Sequence, residues 1–138
     1  MSSILIDKLI KPSETCRLEP YYCPAGILTC GWGSTGSDVV LGVDWTQAYA
    51  DQRMEQDAAK AAKAAVILCP YLRGPQIDAI ADFVYNLGAA RLRDSTLRKK
   101  LNEGDMERAK EELRKWIYGG GRKLPGLILR REAEASLL

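Results

Sequence analysis

The chain has 138 residues, 46% of them hydrophobic and 28% charged, which is ordinary globular composition and long enough to bury a real core in one domain. Net charge is +2 but unevenly placed: residues 1–88 hold 7 Lys and Arg against 10 Asp and Glu, and residues 89–138 hold 13 against 8. A basic C-terminal half suits an anionic polymer such as nucleic acid or a bacterial cell wall.

No apolar run approaches the roughly 20 residues that span a bilayer. "ILIDKLI" at residues 4–10 is broken by Asp7 and Lys8, so it is neither a signal-peptide core nor an anchor. The expectation is a protein that starts in a cytoplasm, with an upstream export segment left open. The four cysteines, Cys16, Cys23, Cys30 and Cys69, contain no Cys-x-x-Cys pair, and there is no histidine. That is not a metal-ligand pattern, so no metal is expected. Cys16, Cys30 and Cys69 read as small buried hydrophobes, with one disulfide among them left open.

Residues 3–11 read as a short amphipathic helix capped by Ser2 or Ser3, with Ile4, Leu5 and Leu9 facing inward. Pro12 should end or kink it. From Tyr21 to Val43 the chain is rich in glycine, with short apolar runs "ILTC" and "VVLGV", the signature of a small antiparallel sheet with tight turns. Thr46 caps a long alanine-rich helix through about Val66, and "CPYLRG" breaks it. Pro75 opens "PQIDAIADFVYNLG", in which Ile77, Ile80, Ala81, Val84 and Leu87 share a face and Gly88 closes the helix. Ser95 and Asp105 cap helices over 96–102 and 106–117, the loop "GGGRKLPG" follows, and a last helix starts at Pro125. The fold class is α+β. A small sheet lobe over 13–45 joins, through the helix from 46 to 66, an all-helical lobe over 46–138, in one domain with a cleft between the lobes.

In "ETCRLEPYYCPAGILTCGWGST", Glu14 precedes Cys23 by nine positions and Thr29 follows it by six. This stretch resembles the phage-type lysozymes, glycoside hydrolase family 24, which usually read Glu, eight residues, Asp, five residues, Thr, then a Gly-Tyr-Gly-His-like turn. The resemblance continues in family order through "QIDAIADFVYNLG", "STLRKKLNEGD", "LRKW" and "GGGRKLPGLILRR", nearly the whole chain. It implies a lysozyme-like fold and an endolysin muramidase cutting the β-1,4 bond between N-acetylmuramic acid and N-acetylglucosamine in peptidoglycan. It further implies a monomer without cofactor, made in the host cytoplasm and reaching the wall in the periplasm after a holin-like partner permeabilises the membrane. A catalytically inactive wall-binding module on the same fold is the alternative.

The chemistry agrees with the resemblance, because cleaving a glycosidic bond needs a proton for the leaving oxygen and a group managing the opposite face of the sugar. By resemblance Glu14 is the acid, and Thr29 helps hold the attacking water, though a strand position would also suit a threonine. Cys23 stands where most of the family has aspartate. It is expected either to orient water as a neutral thiol or to act as a thiolate, with nearby Glu14 pushing its proton affinity up. Ser34 replaces the turn histidine, removing any ion pair across the small lobe, and Trp32 replaces a tyrosine. Thr35, Tyr85 and Thr96 match positions lining the family's cleft, and Arg122, beside Lys123, is a candidate contact for wall carboxylates. Tyr85 could equally be a core aromatic, Thr96 part of a helix start, and Arg122 a solvated turn. A nucleic-acid reading of "RLRDSTLRKK" fails for want of a recognition-helix pattern and interleaved aromatics.

Overall fold

The computed structural model describes residues 4–138, so the expected Ser2 or Ser3 cap lies outside the described residues. Helix α1 starts as a π-type segment, Ile4–Ile10, and continues as one α-helical turn, Lys11–Ser13. The wider π turn moves the buried stripe to Leu5, Leu9 and Ile10, leaving Ile4 only partly covered. Pro12 does not end the helix. The hydrogen-bond register restarts after Ile10, so Pro12 falls in a first turn, where its missing N–H needs no intrahelical partner.

The sheet is smaller than expected and begins earlier. Strands β1 (Arg17–Tyr22) and β2 (Leu28–Gly31) pair antiparallel, with Arg17 opposite Gly31, Tyr21 opposite Thr29 and Tyr22 opposite Leu28. Between Arg17 and Tyr21 the register shifts. This bulge admits Pro20, which has no N–H to give a regular ladder. "VVLGV" adds no strand. Turns from Gly36 to Val39 and from Val40 to Val43 close on themselves, and Gly42 holds φ +84°, outside strand geometry. Val39 is buried while Val40, Leu41 and Val43 are exposed.

Thr46 caps α2 (Gln47–Leu68), its Oγ1 accepting from Tyr49 N at 3.1 Å. Ala50, Met54, Ala58, Ala61 and Ala65 form its buried stripe. Their small side chains let α3 (Pro75–Leu87) pack closely along it. Helix α3 is buried more broadly than one stripe, over Ala79–Val84 including Asp82, because α1 and α7 also cover it. Gly88, at φ +95°, turns the chain into α4 (Ala89–Arg93). Ser95 and Asp105 cap α5 (Thr96–Glu103) and α6 (Met106–Leu113), accepting from Arg98 N and Arg108 N.

Helix α6 stops at Leu113, short of the expected 117. Its last bonds tighten to i→i+3 at Lys115 and Trp116, and the Trp116 ring turns edge-on to Phe83, with centroids 5.4 Å apart. The expected loop is a small hairpin, β3 (Tyr118–Gly119) and β4 (Arg122–Lys123). Its two-residue turn, Gly120 at +59° and Gly121 at +78°, needs left-handed backbone at both positions. Helix α7 (Pro125–Ala135) returns to cover α3.

Two apolar clusters result. Cys30, Val39, Trp45 and Ala50 form a small one under the sheet, and α1 through α7 build the large one, with Trp32 packed against both. Long helix α2 contributes to each, so the α+β arrangement is a small sheet lobe joined by a long helix to a helical lobe. Among the described residues no helix is long and apolar enough to cross a membrane.

Candidate active site

Glu14 sits where α1 gives way to extended chain, its N–H still bonded to Ile10 O at 2.8 Å and its backbone at φ −104°, ψ 126°. The break aims its side chain at the helical lobe, where Arg130 Nη1 donates to Glu14 Oε1 at 2.7 Å. Arg130 is itself clamped from α3: its Nε and Nη2 donate to the two oxygens of Asp82 at 2.9 and 2.8 Å. The guanidinium is almost wholly buried and Asp82 entirely so. Burial raises the Asp82 carboxyl, but hydrogen bonds from Arg130 and Glu134 outweigh it and leave the group below the ordinary carboxylate value. Burial opposes the charge on Arg130, and Asp82 and Glu14 overcome that, raising its proton affinity.

Gly33 closes the other side of Glu14. A Cβ built on it would lie 2.7 Å from Glu14 Oε2 and 3.0 Å from Cδ, so any side chain there would push the Glu14 carboxyl aside, and its φ of +87° favours glycine independently. The next residues are fastened to α2. Ser34 Oγ donates to Asp57 Oδ2 at 2.7 Å, Arg53 Nη1 donates to Asp57 Oδ1 at 2.6 Å, and Arg53 Nη2 donates to Thr35 O at 2.7 Å. The expected loss of an ion pair at Ser34 leaves the turn tied all the same, by the hydrogen bond from the Ser34 hydroxyl to the Asp57 carboxyl group. Trp32 does more than pack: its Nε1 donates to Asp51 Oδ1 at 2.8 Å and its carbonyl accepts from Tyr85 OH at 2.6 Å. Burial, then the charges of Glu14 and Asp57, raise the Tyr85 phenol, so it is a committed donor.

Cys23 and Thr29 lie at the end of the sheet where β1 turns into β2. Cys23 N donates to Ile27 O at 3.0 Å and Gly26 N donates to Cys23 O at 2.8 Å, which closes the connection between the strands. Buried Thr29 donates to Ile27 O at 2.9 Å. The expectation that Cys23 would be pushed up is overturned. Burial does push the thiol up, but backbone N–H groups of Ile27 and Ala25 and the Thr29 side chain outweigh it, and the net direction is down. Glu14 is felt instead by Tyr21. Burial raises that phenol first, Glu14 next and Cys23 less, against the lowering effect of Arg17. Tyr21 thus sits in the fields of both Glu14 and Cys23.

A cleft of about 440 Å³ runs between the lobes, lined by Gly33 and Thr35, by Asp57 and Lys60 of α2, and by Val84 and Tyr85 of α3. Glu14 borders it through Gly33, while Cys23 and Thr29 are not among its lining residues. Thr35 and Tyr85 line it together. Thr96 is exposed in the first turn of α5 and Arg122 is exposed on the second hairpin, and neither lines this cleft. All four cysteines are free. Among the described residues no group of His, Cys, Asp or Glu is placed to hold a metal. Sequence reasoning missed Arg130 and Asp82. The available signal was an aspartate inside the apolar run "AIADFV" and an Arg-Arg pair in the last helix.

A bulged hairpin and a helical bundle flanking a cleft, with a clamped glutamate at the end of the first helix, define a lysozyme-like fold. Residues 11–134 match the phage lysozyme family model. The chain is 38% identical over 128 residues to the SAR-endolysin of Bacteriophage PS119, covering 90% of this chain and 75% of that protein. It superposes on the endolysin from Escherichia coli O157:H7 phage FAHEc1 with a TM-score of 0.83 at 30% identity, covering 99% of this chain and 90% of that one. It also superposes on the muramidase domain of SpmX from Asticaccaulis excentricus with a TM-score of 0.85 at 28% identity, covering 99% and 95%. The chain belongs to the phage lysozyme family.

Proposed function

We propose that this chain is an endolysin muramidase that hydrolyses the β-1,4 bond between N-acetylmuramic acid and N-acetylglucosamine in bacterial peptidoglycan, with Glu14 as proton donor. One observation carries the assignment: Glu14 is pinned at the cleft rim with Oε1 on Arg130 and Oε2 against Gly33. With Oε1 taken as an acceptor, Oε2 is the oxygen that would hand a proton to the leaving group. The anion left behind is stabilised at once by a guanidinium already in place, which costs no reorganisation. Thr29 and Cys23 hold the water on the opposite face, giving inversion, and Thr35 and Tyr85 contact the sugars. Thr96 and Arg122 serve as contacts further along the polymer, outside the cleft.

A second reading has specific support. The hydrogen bonds that lower Cys23 also favour its thiolate, which could attack the anomeric carbon and give retention. In the cell the proposal is a monomer without cofactor that passes from the host cytoplasm to the wall once a holin-like partner has opened the membrane. Digestion of purified peptidoglycan with product analysis tests the assignment. Fragments with N-acetylmuramic acid at the new reducing end are expected, and NMR of the first-formed anomer separates inversion from retention. Intact strands, or cleavage only in the peptides, would overturn it.

A further inference from the structure

The cleft does not end at Thr35. A second groove, of about 730 Å³, continues from it along α2, sharing Thr35, Asp57 and Lys60 with the cleft and reaching Lys63. Residues 33–38 wall the whole path, from Gly33 against Glu14 to Asp38. The proposed hydrolysis makes no use of this second groove.

The charged groups lining it are Asp38 from the loop after β2, and Arg53, Asp57, Lys60 and Lys63 from α2. Both acids are already answered. Arg53 donates to Asp38 through Nε and Nη2 and to Asp57 through Nη1, Tyr49 OH donates to Asp38, and Ser34 Oγ donates to Asp57. One mostly buried guanidinium thus holds both carboxylates against the protein. Lys60 and Lys63 are different. Both are exposed, and neither makes an ion pair or a hydrogen bond among the described residues. Their neighbours on the lining, Ala59, Ala61 and Ala64, are too short to reach them with a polar group. Three residues apart on a helix, the lysines are about 4.5 Å apart along its axis. Successive residues of an extended peptide advance about 3.3–3.6 Å, so carboxylates on neighbouring residues can meet one lysine each.

Resting on the assignment of the cleft to wall hydrolysis, we propose that this groove is a subsite for the acidic peptide carried by the glycan strand, with Lys60 and Lys63 pairing its free carboxylates. N-acetylmuramic acid bears that peptide on its lactyl group, so a sugar seated in the cleft can send its peptide into the adjoining groove. The substrate class is then a peptide-bearing strand with its carboxylates free.

The test uses soluble peptidoglycan strands and the same strands with their peptide carboxyls converted to amides, which leaves glycan and peptide length unchanged. The readout is the ratio of kcat/KM for native over amidated strands, in which any general loss of activity by a variant cancels. Two partly screened charge contacts should give wild type a ratio of about ten, carried by KM. Lys63→Gln should lower the ratio to about three, Lys60→Gln/Lys63→Gln to near one, and Lys63→Arg should keep it. A wild-type ratio of one overturns the proposal. So does a double variant with the wild-type ratio, which would place the preference on basic residues elsewhere. If wild type cuts neither strand, the muramidase reading fails. Co-sedimentation with insoluble wall, native against amidated, then judges the groove alone. A preference for native wall that the double variant lacks supports the subsite, and equal binding overturns it.

Discussion

Gly33→Ala isolates the contact that places Glu14. The substitution puts an L side chain at φ +87°, which costs about 1–2 kcal/mol as backbone strain. It also sets a methyl group 2.7 Å from Glu14 Oε2, 3.0 Å from Cδ and 3.3 Å from Oε1. Restoring ordinary contact at roughly 3.4 Å requires the carboxyl to retreat by about 0.7 Å. The retreat acts directly on the 2.7 Å bond to Arg130, whose guanidinium cannot follow while Asp82 holds it. Misplacement of about 1 Å costs on the order of a hundredfold in rate, so a loss between about tenfold and a hundredfold in kcat is expected. Gly42→Ala supplies the control, because Gly42 has nearly the same φ, +84°, with nothing within 4 Å of its Cβ position. Urea unfolding should show both variants destabilised by about 1–2 kcal/mol, and only Gly33→Ala should lose clearing of permeabilised cells. Equal activity in the two variants would refute the claim that Gly33 sets the position of Glu14.

Arg130→Met leaves Asp82 buried and unpaired and should cost about 3–5 kcal/mol in urea unfolding; Asp82→Leu/Arg130→Met should recover most of that without recovering activity, and recovery of both would separate the clamp from catalysis. Cys23→Ser should keep activity to within about tenfold if the thiol only orients water, whereas loss of about a hundredfold or more would favour the thiolate. Cys23→Asp should be active in either case, and a dead aspartate variant beside an active wild type would mean the motif is misaligned. Asp38 is held down to about 2, first by the hydrogen bond from Arg53, with burial opposing and Tyr49 adding to the lowering. Because its folded value lies below the ordinary carboxylate value of 3.8, the stability it contributes is full above that pH and is lost as pH falls through about 2. Asp38→Asn should therefore cost about 1 kcal/mol at neutral pH after solvent screening, a difference that closes in acid urea titrations.

The helical half was legible because its signals are local. Thr46, Ser95 and Asp105 each cap the helix that the sequence assigned to them, and Pro75 and Pro125 each open one. The small lobe was less legible because its strands depend on pairing. The chain before Tyr21 carries no strand signal until the bulge at Pro20 is seen, and "VVLGV" reads as a strand until its turns are. Glu14, Cys23 and Thr29 could be proposed from the resemblance because its motif lies within sixteen residues of chain. The Arg130–Asp82 clamp joins residues 48 positions apart and reaches Glu14 across 116. No periodicity encodes such a contact. The direction of the Cys23 shift was misread for the same reason, since it depends on which N–H groups of the 23–27 turn point at sulfur.

The central claim is that the carboxyl group of Glu14 delivers the proton that breaks the glycosidic bond. Glu14→Gln keeps the side-chain shape and an oxygen to accept from Arg130, so the variant should fold with wild-type stability. Its initial rate of reducing-end release from purified peptidoglycan should fall at least about a hundredfold. A folded Glu14→Gln variant that releases reducing ends at close to the wild-type rate would contradict the account.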